Sequence, residues 1–261
     1  MKKIQLASLI ILVFAISLRG QVNETIFQTL DSTIILQSLF DASSPNENGW
    51  VTWKPNFPEK INFPVSKDGS CYTKMDTILY LNNDWQQIAL IVFETFPVED
   101  GRRTKGSLIS TAVFNKLSTA TTWQVNCFNK KLYYDPKSTT GNFELVKLNA
   151  MPNWGYALAF TSEYTTNKII FRTIQYYDFY YSKELFSSFV FTSNKEDTDK
   201  AKHFGYTAQV KIIPSTDWSI FEINYKGTDK DYKTNKIYSV DGSRKFYYDT
   251  YARVYVKKRY N

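Results

Sequence analysis

The chain has 261 residues, 32 of them Lys or Arg and 25 Asp or Glu, for a formal net charge of +7. So mild a surplus is not the footprint of a nucleic-acid binder. One histidine and two cysteines cannot build an ordinary zinc site, and ten glycines include no phosphate-cradling loop, so no metal and no cofactor is expected.

Lys2 and Lys3 open the chain, Leu6 to Leu18 is apolar except for Ser8 and Ser17, and Gly20 is a small residue for a peptidase. These features predict a signal peptide over residues 1–20, cut before Gln21. The apolar run is shorter than the roughly 20 residues that span a bilayer as a helix. An extracytoplasmic protein is therefore expected, whether periplasmic, cell-surface or secreted. Loss of Lys2, Lys3 and Arg19 with the leader lowers the charge from +7 by three, to +4.

Val22 to Phe40 reads two ways. Ile26, Leu30 and Ile34 are spaced as on a helix, while Thr33 to Leu36 suits a strand. From Ala42 to Gly69, Pro45, Pro55, Pro58 and Pro64 interrupt any regular element, and Trp50, Trp53, Phe57 and Phe63 would pin this loop over a core edge. The segment 21–76 is thus expected to pack on a β-rich domain spanning 77–261, with a subdivision in the charged stretch 192–204.

Strand signals dominate from Thr77 onward. Thr77–Leu81 and Gln87–Phe96 flank the turn Asn82-Asn83-Asp84, and Ala89 to Phe93 is apolar on both faces, as in a covered central strand. Leu108–Leu117 and Thr122–Phe128 form a second predicted hairpin, Phe143–Leu148 and Tyr156–Phe160 a third, followed by Lys168–Tyr177. Ser182–Phe189 and Lys195–Phe204 read as short helical turns. Tyr206, Ala208, Val210 and Ile212 alternate inward with Thr207, Gln209 and Lys211 outward, and Phe221, Ile223 and Tyr225 continue the pattern. Asp241-Gly242 signals a hairpin between 236–240 and 246–248. Ala252, Val254 and Val256 are predicted inward, with Tyr251, Arg253 and Tyr255 outward. The sum is an all-β chain of about twelve strands with few short helices, arranged as an antiparallel sandwich or a barrel-like or propeller-like assembly.

Cys71 and Cys127 are expected to pair in an oxidising compartment. Cys127 lies in step with Trp123 and Val125, facing inward. Such a bridge would stabilise the fold by about 4 kcal/mol.

Catalytic signals are sparse. His203 stands alone in a charged stretch and no G-x-S-x-G elbow occurs, which argues against a His-based triad. Glycoside hydrolysis needs only two carboxylates; Glu94, Glu99, Asp100, Glu144 and Glu163 lie on or beside predicted strands, and Glu94, which interrupts a covered strand, is the leading candidate, with no second partner fixed by spacing. The loop Asp100-Gly101-Arg102-Arg103 could grip an anion through Arg102 and Arg103. The compositional outlier is 19 Tyr, 19 Phe and 6 Trp. Tyr176, Tyr177, Tyr180 and Tyr181 form a dense cluster and Tyr247-Tyr248 belong to a second one in the C-terminal region; one ring of each adjacent pair is expected on the less buried face, where it suits sugar stacking or a protein interface.

The stretch Ile91-Val92-Phe93-Glu94-Thr95-Phe96-Pro97, the Asp100-Gly101 turn, then Thr111 to Lys116 and Thr122-Trp123 resembles uncharacterised β-rich secreted proteins of Gram-negative bacteria. The similarity lies within roughly residues 77–160. It implies an extracytoplasmic location and no particular activity, and no functional residue carries over.

Three readings follow. The leading one is a non-catalytic exported domain that binds a ligand, a glycan or a protein, at an aromatic surface. The second is a carbohydrate-active enzyme with paired carboxylates. The third is an outer-membrane β-barrel, which Tyr-rich strands and Tyr260 near the terminus would suit.

Overall fold

The computed structural model describes residues 26–55, 65–81, 86–117, 119–135, 143–148, 155–194 and 202–257. The predicted leader, the Asn82-Asn83-Asp84 turn, Phe57, Phe63, Tyr260 and most of the 195–204 stretch lie outside these residues.

The ambiguous N-terminal segment resolves into a two-residue strand, β1 (Ile26–Phe27), and a helix, α1 (Ser32–Phe40). Asp31 starts the helix: its backbone is extended and its side chain accepts the Ile34 N–H at 3.1 Å, satisfying one of the amides a first turn leaves orphaned. Asp41, at φ 50°, ends it. The buried face is Ile35, Leu36, Leu39 and Phe40, whereas Ile34 of the predicted stripe is half exposed.

Six strands form the first sheet, in the order β1-β8-β7-β4-β3-β2 and antiparallel throughout. Here β2 is Val51–Trp53, β3 Cys71–Tyr80, β4 Gln86–Phe96, β7 Ser107–Leu117 and β8 Trp123–Asp135. Between β4 and β7 a small ear, β5 (Val98–Glu99) paired with β6 (Arg102–Arg103), projects from the sheet. As the sequence predicts, β4 is covered on both sides. Ala89, Ile91 and Phe93 meet the helix, Trp53 and Phe114. Ile88, Leu90 and Val92 meet the second sheet. Each large apolar side chain buried this way stabilises the fold by about 2 kcal/mol.

The second sheet runs β17-β16-β14-β13-β12-β11-β10-β9, with β15 also on β14. Its strands are β9 (Phe143–Lys147), β10 (Tyr156–Thr166), β11 (Ile169–Asp178), β12 (Lys183–Ser193), β13 (Gly205–Ile213), β14 (Ile220–Lys230), β15 (Ile237–Ser239), β16 (Gly242–Asp249) and β17 (Val254–Lys257). Leu158 and Phe160 face the first sheet, while Ala157, Ala159 and Tyr176 face an inner core with Phe186, Phe221, Ile223 and Tyr255. The sheet therefore curls over itself, a half-barrel laid on a sandwich. It bends at a narrow joint where β12 and β13 share only three paired positions, 191–193 with 205–207. Gly227 sits at this corner at φ +134°, where a Cβ would lie 2.4 Å from the Gly205 carbonyl oxygen. The charged stretch 192–204, the predicted subdivision, thus links two adjacent strands of one sheet.

Several sequence expectations are corrected. Seventeen strands occur among the described residues, more than twelve, because short edge and ear strands escape periodicity. Residues 183–193, read in part as helical, form β12, whose Leu185 and Phe186 are drawn into the inner core. Asp241-Gly242 is not a hairpin turn. Both β15 and β16 pair with β14 in one continuous register, and Asp241 lies in the short break between them, its Oδ1 accepting the Gly227 N–H at 2.8 Å. In β17 the parity is inverted: Tyr255 is buried and Val256 is 40 % exposed, since the larger ring fills the space beside Phe221, 4.5 Å between centroids.

The predicted disulfide is absent: Cys71 and Cys127 are free thiols. Cys127 aligns through Val113 and Leu90 with Leu79, eight residues along β3 from Cys71 and three strands away. At about 3.3 Å per residue and about 4.8 Å per strand, that separation far exceeds the reach of a bridge. A register shift between Val113 and Phe114 also turns Cys127 toward the second sheet, away from the side that holds Trp123.

Candidate functional site

Glu94 is 3 % exposed and is held by three groups. The Arg103 guanidinium donates to Oε1 at 2.5 Å and Oε2 at 3.0 Å, Ser107 Oγ donates to Oε1 at 2.9 Å, and Lys74 Nζ lies 3.3 Å from Oε2. Arg103 also lies over Phe96, 4.3 Å from the ring centre. Two residues that the sequence singled out separately are therefore partners. A carboxylate held by a bidentate cation anchors the ear to the sheet. Arg102, one residue on, is exposed.

Of the other candidate acids, Glu99 and Asp100 are exposed on the ear, and the rest are apart. Glu163 pairs with Arg172 at 2.7 Å. Glu144 lies opposite Ala159, four residues from Glu163 along β10, which is about 13 Å. Glu94 belongs to the other sheet. His203 lies just before β13.

The tyrosine cluster divides. Tyr176 is 4 % exposed inside the curled sheet, 4.7 Å from Phe221, and burial pushes its hydroxyl up to about 12. Tyr177 points to the opposite face, packed 5.7 Å from both Tyr133 and Phe160, with its hydroxyl donating to Glu184 at 3.1 Å. Tyr180 donates to Asn126 Oδ1 at 2.9 Å and packs edge-on to Tyr181. Tyr181 alone of the four is open to solvent, and it borders a cleft.

That cleft, about 510 Å³, lies at one end of the curled sheet. Alternate connections of a meander fall at the same end, so the loops after β11, β13 and β16 converge there. The first brings Asp178, Tyr181 and Lys183, the second Trp218, and the third Tyr248 and Arg253. Trp218 and Tyr248 stack at 4.0 Å with their planes 19° apart. Burial, with the Asp178 carboxylate adding to it, raises the Tyr248 hydroxyl above its ordinary range, so it remains a neutral donor. Arg253 lies 5.3 Å over the Tyr181 ring. Asp178 is turned inward, its Oδ1 accepting the N–H groups of Tyr180 at 2.8 Å and Tyr181 at 3.0 Å. A wider hollow of about 620 Å³ over β13 and β14 has Tyr225 as its one aromatic lining residue.

Trp218 and Arg253 were not among the residues singled out for binding, and Tyr248 was named only within the C-terminal tyrosine cluster. Trp218 stands in a Pro-Ser-Thr-Asp loop with no periodic signal, and 30 residues of chain separate it from Tyr248. A large aromatic residue in a polar loop was the one available hint. Among the described residues no three His, Cys, Asp or Glu side chains gather as a metal site. No known protein family, no curated protein and no solved structure matches this chain.

Proposed function

We propose that the chain is an extracytoplasmic binding protein that holds a saccharide in the rim cleft beside Trp218. The observation that carries this reading is the stacked Trp218–Tyr248 pair facing Tyr181 across a polar-edged cleft. Sugar rings present apolar C–H faces to aromatic planes and hydroxyls to polar side chains, and this lining offers both. Location outside the cytoplasm rests on the signal-peptide grammar of residues 1–20. The dispersal of Glu94, Glu144 and Glu163, two of them held by arginines, favours binding over hydrolysis by those acids.

Glycan-array binding by the full chain, followed by titration of Trp218→Ala, tests this. Retained melting temperature with at least about tenfold weaker binding is expected. A folded protein that binds no glycan overturns the reading.

A further inference from the structure

We infer that the saccharide of this cleft is an acidic one, its carboxylate or sulfate received between Lys183 and Arg253. This rests on the saccharide reading above and narrows it.

Lys183, at the start of β12, reaches across to the turn between β16 and β17, where its ammonium donates to the Ala252 carbonyl. An ammonium has three N–H donors, so two remain for a ligand. Arg253 is exposed at the cleft edge, its guanidinium over Tyr181. The planar fork of arginine matches the paired oxygens of a carboxylate or sulfate, and stacking on a ring leaves its in-plane donors available.

The one acid among the lining residues is buried and spends one oxygen on the backbone. Asp178 is 4 % exposed and directs Oδ1 at two backbone amides. Asp249, beside the cleft, is used the same way, its Oδ1 accepting the N–H groups of Tyr251 and Ala252, each at 2.9 Å. The carboxylates thus shape the two loops, and the cations are left at the mouth.

The loops themselves are held in costly conformations. Ser182 at φ 53° and Arg253 at φ 55° occupy the left-handed region, which non-glycine residues seldom adopt. Both are fixed: Ser182 Oγ donates to the Lys131 carbonyl at 3.0 Å, and the Arg253 N–H donates to the Asp249 carbonyl at 2.7 Å. Each carries or adjoins one of the two cations. Glycine would relieve either position, yet at Arg253 it would remove the guanidinium. Strain retained in this way is a recurrent mark of binding sites.

The test uses the full chain and an array on which uronate and sulfated glycans are printed beside neutral glycans of matched backbone, followed by titration with a galacturonate oligomer and its methyl ester. Acidic members are expected to bind at least about tenfold tighter than their neutral matches, with the gap shrinking between about 50 and about 500 mM salt. Arg253→Gln and Lys183→Gln are expected to lower acidic-glycan affinity at least about tenfold and so close that gap, with the far-UV circular-dichroism spectrum showing that each variant is folded. Equal affinity for acidic and neutral members, both lost in Trp218→Ala, overturns the acidic preference and leaves the saccharide site standing. Absence of binding by either group overturns both.

Discussion

Arg103, at the base of the ear, closes both guanidinium nitrogens of its outer edge on Glu94, at 2.5 and 3.0 Å, and thereby ties a two-stranded projection to the most buried of the described strands. The carboxylate is 4 % exposed and the guanidinium 20 %. Removing one partner of such a pair strands the other in a poorly solvated place. Arg103→Ala is therefore expected to destabilise the chain by about 3 kcal/mol in urea denaturation. Glu94→Ala alone should cost about as much. The double variant should cost clearly less than the two singles summed, because neither charge is then left without its partner. Additive losses would show the pair to be uncoupled.

Tyr255 buries its ring against Phe221, Phe186 and Tyr248, but its hydroxyl is buried without a hydrogen-bond partner. A buried donor left unmade costs about 1–3 kcal/mol. Tyr255→Phe should accordingly raise the denaturation midpoint or leave it unchanged, whereas Tyr255→Ala should lower stability by about 3 kcal/mol or more through the cavity it opens.

The two thiols make a prediction about alkaline pH. Burial pushes both Cys71 and Cys127 up to about 12. A folded-state value above the unfolded one means that the folded chain holds the proton more tightly, so the associated stability is complete below the ordinary thiol range and declines as pH rises through it toward about 12. The urea midpoint should fall from about pH 9 upward, and Cys71→Ala combined with Cys127→Ala should flatten part of that fall. In native buffer neither thiol should react with a thiol-specific reagent within minutes, both should react after unfolding, and a reductant should leave the melting temperature unchanged. A mass two protons lower before reduction would contradict the separation of the two cysteines.

Gly227 and Gly49 offer a matched comparison. Both have positive φ, but a Cβ at Gly49 meets nothing within 4 Å, while one at Gly227 would strike the Gly205 oxygen at 2.4 Å and Tyr206 Cα at 2.8 Å. Gly49→Ala should cost about 1–2 kcal/mol, the strain of the left-handed conformation. Gly227→Ala should cost more than that or abolish folding, because backbone at the β12–β13 corner has to move.

What the sequence could tell was set by parity. In β4 the apolar residues fill consecutive positions, and both predicted faces are buried. In β13 the alternation of Tyr206, Ala208 and Val210 with Thr207, Gln209 and Lys211 survives intact. Parity failed where a bulge intervened. Val125 and Cys127 are two residues apart, yet a register shift sends them to opposite faces, and with that the argument for a disulfide falls. It failed again at Val254 to Val256, where valine and tyrosine competed for one cavity and volume decided. The helix was one of two readings of Val22 to Phe40, and its inward face depended on where Phe40 could reach Phe93 and Phe128, 5.2 and 5.3 Å away. Of the cleft, Tyr181 and Tyr248 were legible as tyrosines of two separate aromatic clusters. Its other rings and cations come from loops that meet because the sheet curls, and no local pattern encodes a curl.

The first sheet ends on unequal borders. β8 runs for thirteen residues, yet β1 pairs only with Trp123 and Gln124. Farther along that strand stand Asn129, Lys130 and Lys131, with the two lysines placing positive charge where another chain's strand would dock. Strand-to-strand polymerisation is thus opposed by electrostatic repulsion alongside the loop after β11, whose Tyr180 and Ser182 hydrogen-bond to Asn126 and to the Lys131 carbonyl. Charge-neutral replacements at Lys130 and Lys131 would remove that repulsion, together with the Lys130 ammonium over Trp53 and Phe128, and make the protein more prone to fibrillate at high concentration.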